Sequence, residues 1–397
     1  MSGAIEYFRE IVETGRRPDE LEAFPGKVVG VYCNFVPEAL VYALGALPVR
    51  LCSGSRAAAQ QGEEVFPRDV CALVKACVGE AVAGAGLFPR IDLLVTPTSC
   101  DAKTKLGAAL AGCRPVHVLH LPRSKSAPAA IAFWTDEVRA LVRRLETLSG
   151  RKLTREALEQ AIERLNCRQR VFRRLLELRK HSPSALTGEE ALLVTGASFS
   201  DDLERWTAHC EQLCREREAL VVGASQAPVR PKLRLLLTGA PLISPHLKLV
   251  RIIEEAGAEI AIDEMCSGTQ RLYDPVVFRD RSLRAMVESV AERHLLPVTC
   301  PCFAQHTDRL NRVQELAEEF RVDGVVYHSL RVCPAFDIES VALQRELRRR
   351  GLPCLAVTTD YGQEDTEQTR NRVQAFLEVL AARGPRAPAT ATSPRAV

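Results

Sequence analysis

The sequence predicts an α/β protein made of two parallel-sheet halves related by internal duplication, with a helical insert between them. Three observations carry that reading. Short apolar runs alternate with helical stretches at both ends of the 397-residue chain. The middle is almost entirely helical in period. Finally, Gly45-Ala46-Leu47-Pro48-Val49-Arg50-Leu51-Cys52-Ser53-Gly54 and Gly257-Ala258-Glu259-Ile260-Ala261-Ile262-Asp263-Glu264-Met265-Cys266-Ser267-Gly268 each run from a helix end through a short strand to Cys-Ser-Gly.

In the first half, Lys27–Tyr32, Pro48–Leu51, Ile91–Thr96 and Val116–Leu121 read as strands. Helices start at Pro37 and at Asp101. Strand and helix in regular succession argue for a parallel sheet covered on both faces. From about Ala127 to Leu220, apolar residues recur at helical spacing between Arg and Glu, with a break at Pro183, and Ala224–Pro231 reads as a linker. The second half opens on Leu233–Thr238. It continues through a helix from His246 to Glu255 and strands at Asp323–His328 and Pro353–Thr358, and closes on a helix from Glu367 to Ala381. The expected division is an N-terminal helical segment (1–24), a first half (25–126), a helical domain (127–228), a second half (229–382) and a disordered tail (383–397).

Composition excludes more than it identifies. A net charge of +3, with 46% hydrophobic and 26% charged residues, gives no support to nucleic-acid or membrane-surface binding. No apolar run of membrane-spanning length occurs, and the first ten residues lack a basic region followed by an apolar stretch. The expectation is a soluble, cytoplasmic chain. There, fourteen cysteines are thiols or metal ligands rather than disulfides.

Cysteines also mark the two halves in order: Cys52, Cys71 and Cys100, then Cys266, Cys300 or Cys302, and Cys333. Ligands of parallel α/β folds gather beyond the carboxyl ends of strands, where Cys52 and Cys100 sit. Thiolates placed there suit an iron–sulfur centre. Cys71, like Cys300 and Cys302, precedes a helix, whose positive end favours the thiolate. Lys103, Lys105, Arg331 and His328 are candidates to screen cluster charge or to donate protons, and Ser329 to bond a cluster sulfur. Their alternative roles are on the surface or in the core, and packing is also open to His117 and His120. Cys167, Cys210 and Cys214 lie on helical faces and read as core or surface thiols. Cys33, Cys77, Cys113 and Cys354 have no counterpart across the repeat and read as buried thiols, with Cys77 close enough to Cys71 to be a spare ligand.

Tyr32-Cys33-Asn34-Phe35-Val36-Pro37-Glu38, Phe66-Pro67-Arg68-Asp69-Val70-Cys71, Thr98-Ser99-Cys100-Asp101-Ala102-Lys103, Pro115-Val116-His117-Val118, Asp323-Gly324-Val325-Val326-Tyr327-His328-Ser329-Leu330 and Thr359-Asp360-Tyr361 resemble the 2-hydroxyacyl-CoA dehydratase and benzoyl-CoA reductase subunit family. The similarity runs over about residues 20 to 382. It implies two Rossmann-like halves with an iron–sulfur site between them. In the dehydratase and benzoyl-CoA reductase branches, a single 4Fe-4S cluster is implied on Cys71, Cys100 and Cys333. The presence of Cys52, Cys266 and Cys300 or Cys302 as well makes the chain look like the double-cubane reductase branch, in which six cysteines are needed. The resemblance further implies electrons delivered by a separate ATP-hydrolysing iron–sulfur activator, a homodimer or a heterodimer with a related subunit, and a small-molecule or acyl-CoA substrate. The chain itself carries no G-x-x-x-x-G-K-[ST] phosphate loop.

Overall fold

The computed structural model describes residues 3–14, 18–223 and 232–383. The expected linker 224–231 and the tail from 384 onward lie outside them. Eight strands form two separate four-stranded sheets. The first holds β1 (Val28–Val31), β2 (Leu47–Arg50), β3 (Leu93–Pro97) and β4 (Val116–Leu119) in the order β2-β1-β3-β4. The second holds β5 (Arg234–Gly239), β6 (Glu259–Glu264), β7 (Gly324–Leu330) and β8 (Cys354–Thr359) in the order β6-β5-β7-β8. Every pairing is parallel. The architecture is therefore two Rossmann-like halves with the same strand order.

Six of the eight strands are buried at every position, with the edge strands β4 and β8 only partly covered, so apolar residues stand at successive positions of the inner strands. In the first sheet, Val29, Val31, Leu93 and Val95 face one way, onto Trp134, Val138 and Leu141 of the helix Pro128–Ser149. The alternate residues Val28, Leu47, Val49 and Leu94 face Val74 and Val78 of the helix Ala72–Val82. This is the period-two pattern of a strand covered on both sides. The second sheet repeats the arrangement. Leu235, Leu237, Ile260 and Val326 pack on the helices Lys248–Glu255 and Thr366–Arg383, and Leu236, Ile262, Val325 and Tyr327 join a cluster with Phe8, Phe172 and Trp206.

The helical stretch after β4 thus supplies layers to both sheets. Trp134 Nε1 donates to the Ala291 carbonyl at 2.8 Å, tying that stretch to the second half. Cys210 and Cys214 are buried in the cluster with Phe172 and Trp206, as core thiols. No helix among the described residues is long and apolar enough to cross a membrane.

The carboxyl ends of the two sheets meet. Tyr361 Oη, beyond β8, donates to the Ser53 carbonyl beyond β2 at 2.9 Å. At Gly54 the backbones come so close that an added Cβ would lie 1.9 Å from the Ile243 carbonyl oxygen. No side chain fits there, so the Gly of the Cys-Ser-Gly segment is needed for close approach. Gly54→Ala is expected to push the halves apart and cost roughly 1–3 kcal/mol, read as a lower urea midpoint; an unchanged midpoint would show that the contact yields freely.

Candidate metal centre

One cavity of ≈ 90 Å³ lies between the two sheets, and eight cysteines line it: Cys33, Cys52, Cys71, Cys100, Cys266, Cys300, Cys302 and Cys333. All seven of the cysteines proposed from the sequence are there. Cys33 joins them although its sequence pattern suggested an ordinary buried thiol. Five of the eight follow strand ends directly, namely Cys33 after β1, Cys52 after β2, Cys100 after β3, Cys266 after β6 and Cys333 after β7. Between β1 and β3, and again between β5 and β7, the chain reverses its direction of travel along the sheet. The cavity is therefore a crevice of the kind parallel sheets open at a topological switch point.

Local structure sets how each sulfur is presented. Cys71, Cys100 and Cys333 immediately precede the helices Ala72–Val82, Asp101–Leu110 and Pro334–Arg349 as their N-caps. Cys100 Sγ accepts from the Lys103 backbone N–H at 3.4 Å, so its helix start is capped by sulfur. Cys33 turns into the cavity through a left-handed backbone with φ of 73°. Cys300 and Cys302 differ from the expectation. The next helix, Thr307–Glu319, begins five residues beyond Cys302, so these two sit in a loop and no helix end acts on them.

That loop is held by buried charge. Arg309 bonds the Thr299 carbonyl and pairs with Glu264 at 2.6 Å and with Glu339 at 2.8 Å, while Thr299 Oγ1 donates to Glu264. All of these side chains are buried. Across the cavity, Glu38 pairs with Arg168 at 3.0 Å and Arg271 at 2.6 Å. Burial alone would raise the Glu38 carboxyl, but the two guanidiniums hold it well below the usual carboxylate range. His294 Nδ1 bonds the Asn34 carbonyl at 2.8 Å, fixing the turn that carries Cys33.

Six of the thiols bond one another in pairs. A hydrogen bond from Cys333 lowers Cys71 to about 7 against burial, with help from the Val74 backbone N–H, while the same contact and burial raise Cys333. Cys77 is buried behind the wall and donates to Cys52. That bond drives Cys52 well below its ordinary value, opposed by burial and assisted by Lys103 and Arg50. Cys300 is raised, first by its bond to Cys302 and then by burial. Burial raises Cys33, Cys100 and Cys266.

Two cations face this sulfur set. Burial would lower Lys103, yet Cys52, Cys77, Cys33 and Cys100 raise it; Arg50 is likewise opposed by burial and raised by Cys52, Cys266 and Cys33. Among the described residues no Asp or Glu lines the cavity. Arg50 was absent from the sequence candidates, and its only signal was one Arg at the end of an apolar strand. The other candidates fall elsewhere. Lys105 is exposed on the outer side of its helix, and Arg331 is exposed, 3.5 Å from Asp360. Ser329 Oγ bonds Thr358 Oγ1 at 3.0 Å, and His117 is half-buried on β4, with His120 exposed just past its end. Cys113 is exposed, and Cys354 lies in β8.

His328 is completely buried and belongs to a packing network. Its Nδ1 bonds the Ala240 carbonyl at 2.9 Å and its Nε2 bonds Thr359 Oγ1 at 2.9 Å; His246 Nε2 reaches the same hydroxyl at 3.2 Å. This fixes the Ala240-Pro241 wall of the cavity.

No three His, Cys, Asp or Glu side chains among the described residues close on one point as a single metal ion requires. The sulfurs are spread around the walls instead. Eight thiols in the lining, two buried cations and no carboxylate fit a thiolate-ligated, negatively charged iron–sulfur group.

The family model described as 2-hydroxyglutaryl-CoA dehydratase, D-component, matches residues 33–380. A protein of Escherichia coli strain K12, provisionally named as the dehydratase subunit YjiM, is 32% identical over 363 residues, 89% of this chain and 91% of its own length. The (R)-phenyllactyl-CoA dehydratase beta subunit of Clostridium sporogenes is 24% identical over 94% of this chain and 97% of its own. A benzoyl-CoA reductase subunit of Thauera aromatica is 26% identical over 61% of this chain and 62% of its own.

The buried imidazoles predict acid lability. Burial lowers His328 to about 4, and burial, then His328, lowers His246 to about 3. Below about pH 6.5 the unfolded chain takes up protons that the native state refuses, so stability falls as pH drops. The loss is about 1.4 kcal/mol per pH unit for each group until its folded pKa is reached. Urea midpoints at pH 7 and pH 5 should show the fall, and His328→Gln should reduce it; equal midpoints would contradict this account.

Proposed function

The chain belongs to the family of 2-hydroxyglutaryl-CoA dehydratase D-components, and we propose that it is the iron–sulfur catalytic component of an ATP-dependent, low-potential anaerobic reductase binding a double-cubane cluster. Family membership makes it an enzyme subunit of the lyase and oxidoreductase kind. The observation that carries the finer reading is the position of Cys52 and Cys266. They follow equivalent strands of the two sheets and line the same cavity as Cys71, Cys100 and Cys333. With Cys300 or Cys302 they complete a set of six, where a single cubane needs only Cys71, Cys100 and Cys333.

A double cubane held by these cysteines would supply single electrons near the low end of the iron–sulfur range, roughly −700 to +450 mV. The chain's own residues do the rest. Lys103 and Arg50 neutralise sulfur charge from within the cavity wall, and the helix starts at Cys71, Cys100 and Cys333 favour thiolate. Leu73, Val74, Ile243, Leu330 and Phe336 form the apolar part of the lining and keep water away from the sulfurs. Delivery of such electrons against their potential calls for an ATP-hydrolysing iron–sulfur activator as a separate partner. Relatives named as beta subunits support assembly with a like or related chain. The fourteen cysteines are all free, which suits a reducing cytoplasm.

The second reading is a 2-hydroxyacyl-CoA dehydratase subunit with one 4Fe-4S cluster on Cys71, Cys100 and Cys333, eliminating water from its substrate. The alignment to the phenyllactyl-CoA enzyme over most of both chains favours it. Iron and sulfide counting on anaerobically purified protein separates the two, with about eight irons per chain expected for the double cubane and about four for the single. Cys52→Ala and Cys266→Ala should each lower the count; iron content unmoved by both would sink the six-ligand reading, and no iron at all would sink both.

A further inference from the structure

A second cavity of ≈ 190 Å³ backs onto the thiol cavity, and Arg50, Cys52 and Ile243 line both. Its far side is built by the helices Gly3–Thr14 and Gly188–Ala197. We propose, on the basis of the reductase reading above, that this second cavity is the substrate site and that it takes a short-chain organic carboxylate.

Two unspent donors point to an anion. Arg50 is 7% exposed and held firmly: one Nη donates to Asn34 Oδ1 at 2.6 Å and the guanidinium lies 4.5 Å from the Phe199 ring centroid. The guanidinium also bonds Cys52 in the shared wall, which leaves its buried Nε as the nitrogen with no hydrogen-bond partner. Ser267, 3% exposed on the same cavity, has a hydroxyl that is equally unpartnered. Buried donors left without partners are rare and costly, so a ligand oxygen that satisfies both is favoured. Arg50 is also the only cation among the described lining residues, and a guanidinium matches a carboxylate in shape and charge. Burial raises the single carboxyl of the lining, Glu80, against the opposing effect of the Ser53 hydroxyl, so its negative charge is disfavoured.

The remaining wall limits the rest of the molecule. Leu192, Leu242 and Leu247 offer an apolar surface with no further charge, which suits a chain of a few carbons. Because Cys52 stands in the shared wall, a molecule seated here lies directly against the sulfur set.

Calorimetric titration of the anaerobically purified protein with butyrate, and separately with butylammonium, tests the assignment. Butyrate is expected to bind at least tenfold more tightly. Ser267→Ala should weaken it about tenfold by removing one donor. Gly196→Leu should abolish binding by filling the cavity, since only Val12 Cγ2 at 3.4 Å stands near the Cβ position. Iron is counted in every sample. Equal affinity for the two ions, or butyrate binding untouched by both variants, overturns the substrate site whatever the iron content; absence of iron with butyrate bound as expected overturns the reductase reading instead.

Discussion

Arg50 and Lys103 are buried cations, and no ion pair joins either to an Asp or Glu among the described residues. A buried charge without a counter-charge is costly enough to undo a fold. What faces them is sulfur, and the same sulfurs raise both cations above what burial alone would allow. Cation and thiolate thus stabilise one another across a space closed by both sheets. The approach of Gly54 to the Ile243 carbonyl and the Tyr361–Ser53 bond hold the two walls at that separation.

The surrounding polar groups serve the same geometry. Glu38 with its two arginines lies beside the turn of Cys33, and Arg309 with Glu264 and Glu339 anchors the loop of Cys300 and Cys302. Both networks are largely buried. Loops that would otherwise be free to move are fixed by these ion pairs and by the hydrogen bonds of the same side chains, which restrict each loop to one arrangement. The histidine pair on Thr359 does the same for the wall at Ala240.

Much of this was legible in the sequence because it rests on period and punctuation. The strands follow from short apolar runs between helical stretches, and the Cys-Ser-Gly segments mark equivalent positions after β2 and β6. Other features depend on facts that sequence spacing does not carry. Cys33 has no partner in the second half, where Ala240 follows the equivalent strand, and it reaches the cavity only through a left-handed φ. Lys103 and Lys105 are two residues apart on one helix and so point to different sides; burial alone tells them apart. His328 reads as a polar residue near a ligand cysteine but sits inside a strand with both faces covered. The four residues between Cys302 and its following helix remove the helix end from that site, a matter of loop length that Cys-Pro-Cys does not reveal.

The division of the eight sulfurs between the halves has a consequence for how the protein comes into being. Cys33, Cys52, Cys71 and Cys100 come from one sheet's loops, and Cys266, Cys300, Cys302 and Cys333 from the other's. During synthesis the first four are made long before the last four, with the whole helical stretch in between. Until the second sheet closes over them, the early thiols have half a lining and Arg50 has an open side. The complete sulfur set is therefore a late product of folding, and any inorganic guest that needs thiols from both halves must wait for the second sheet to form.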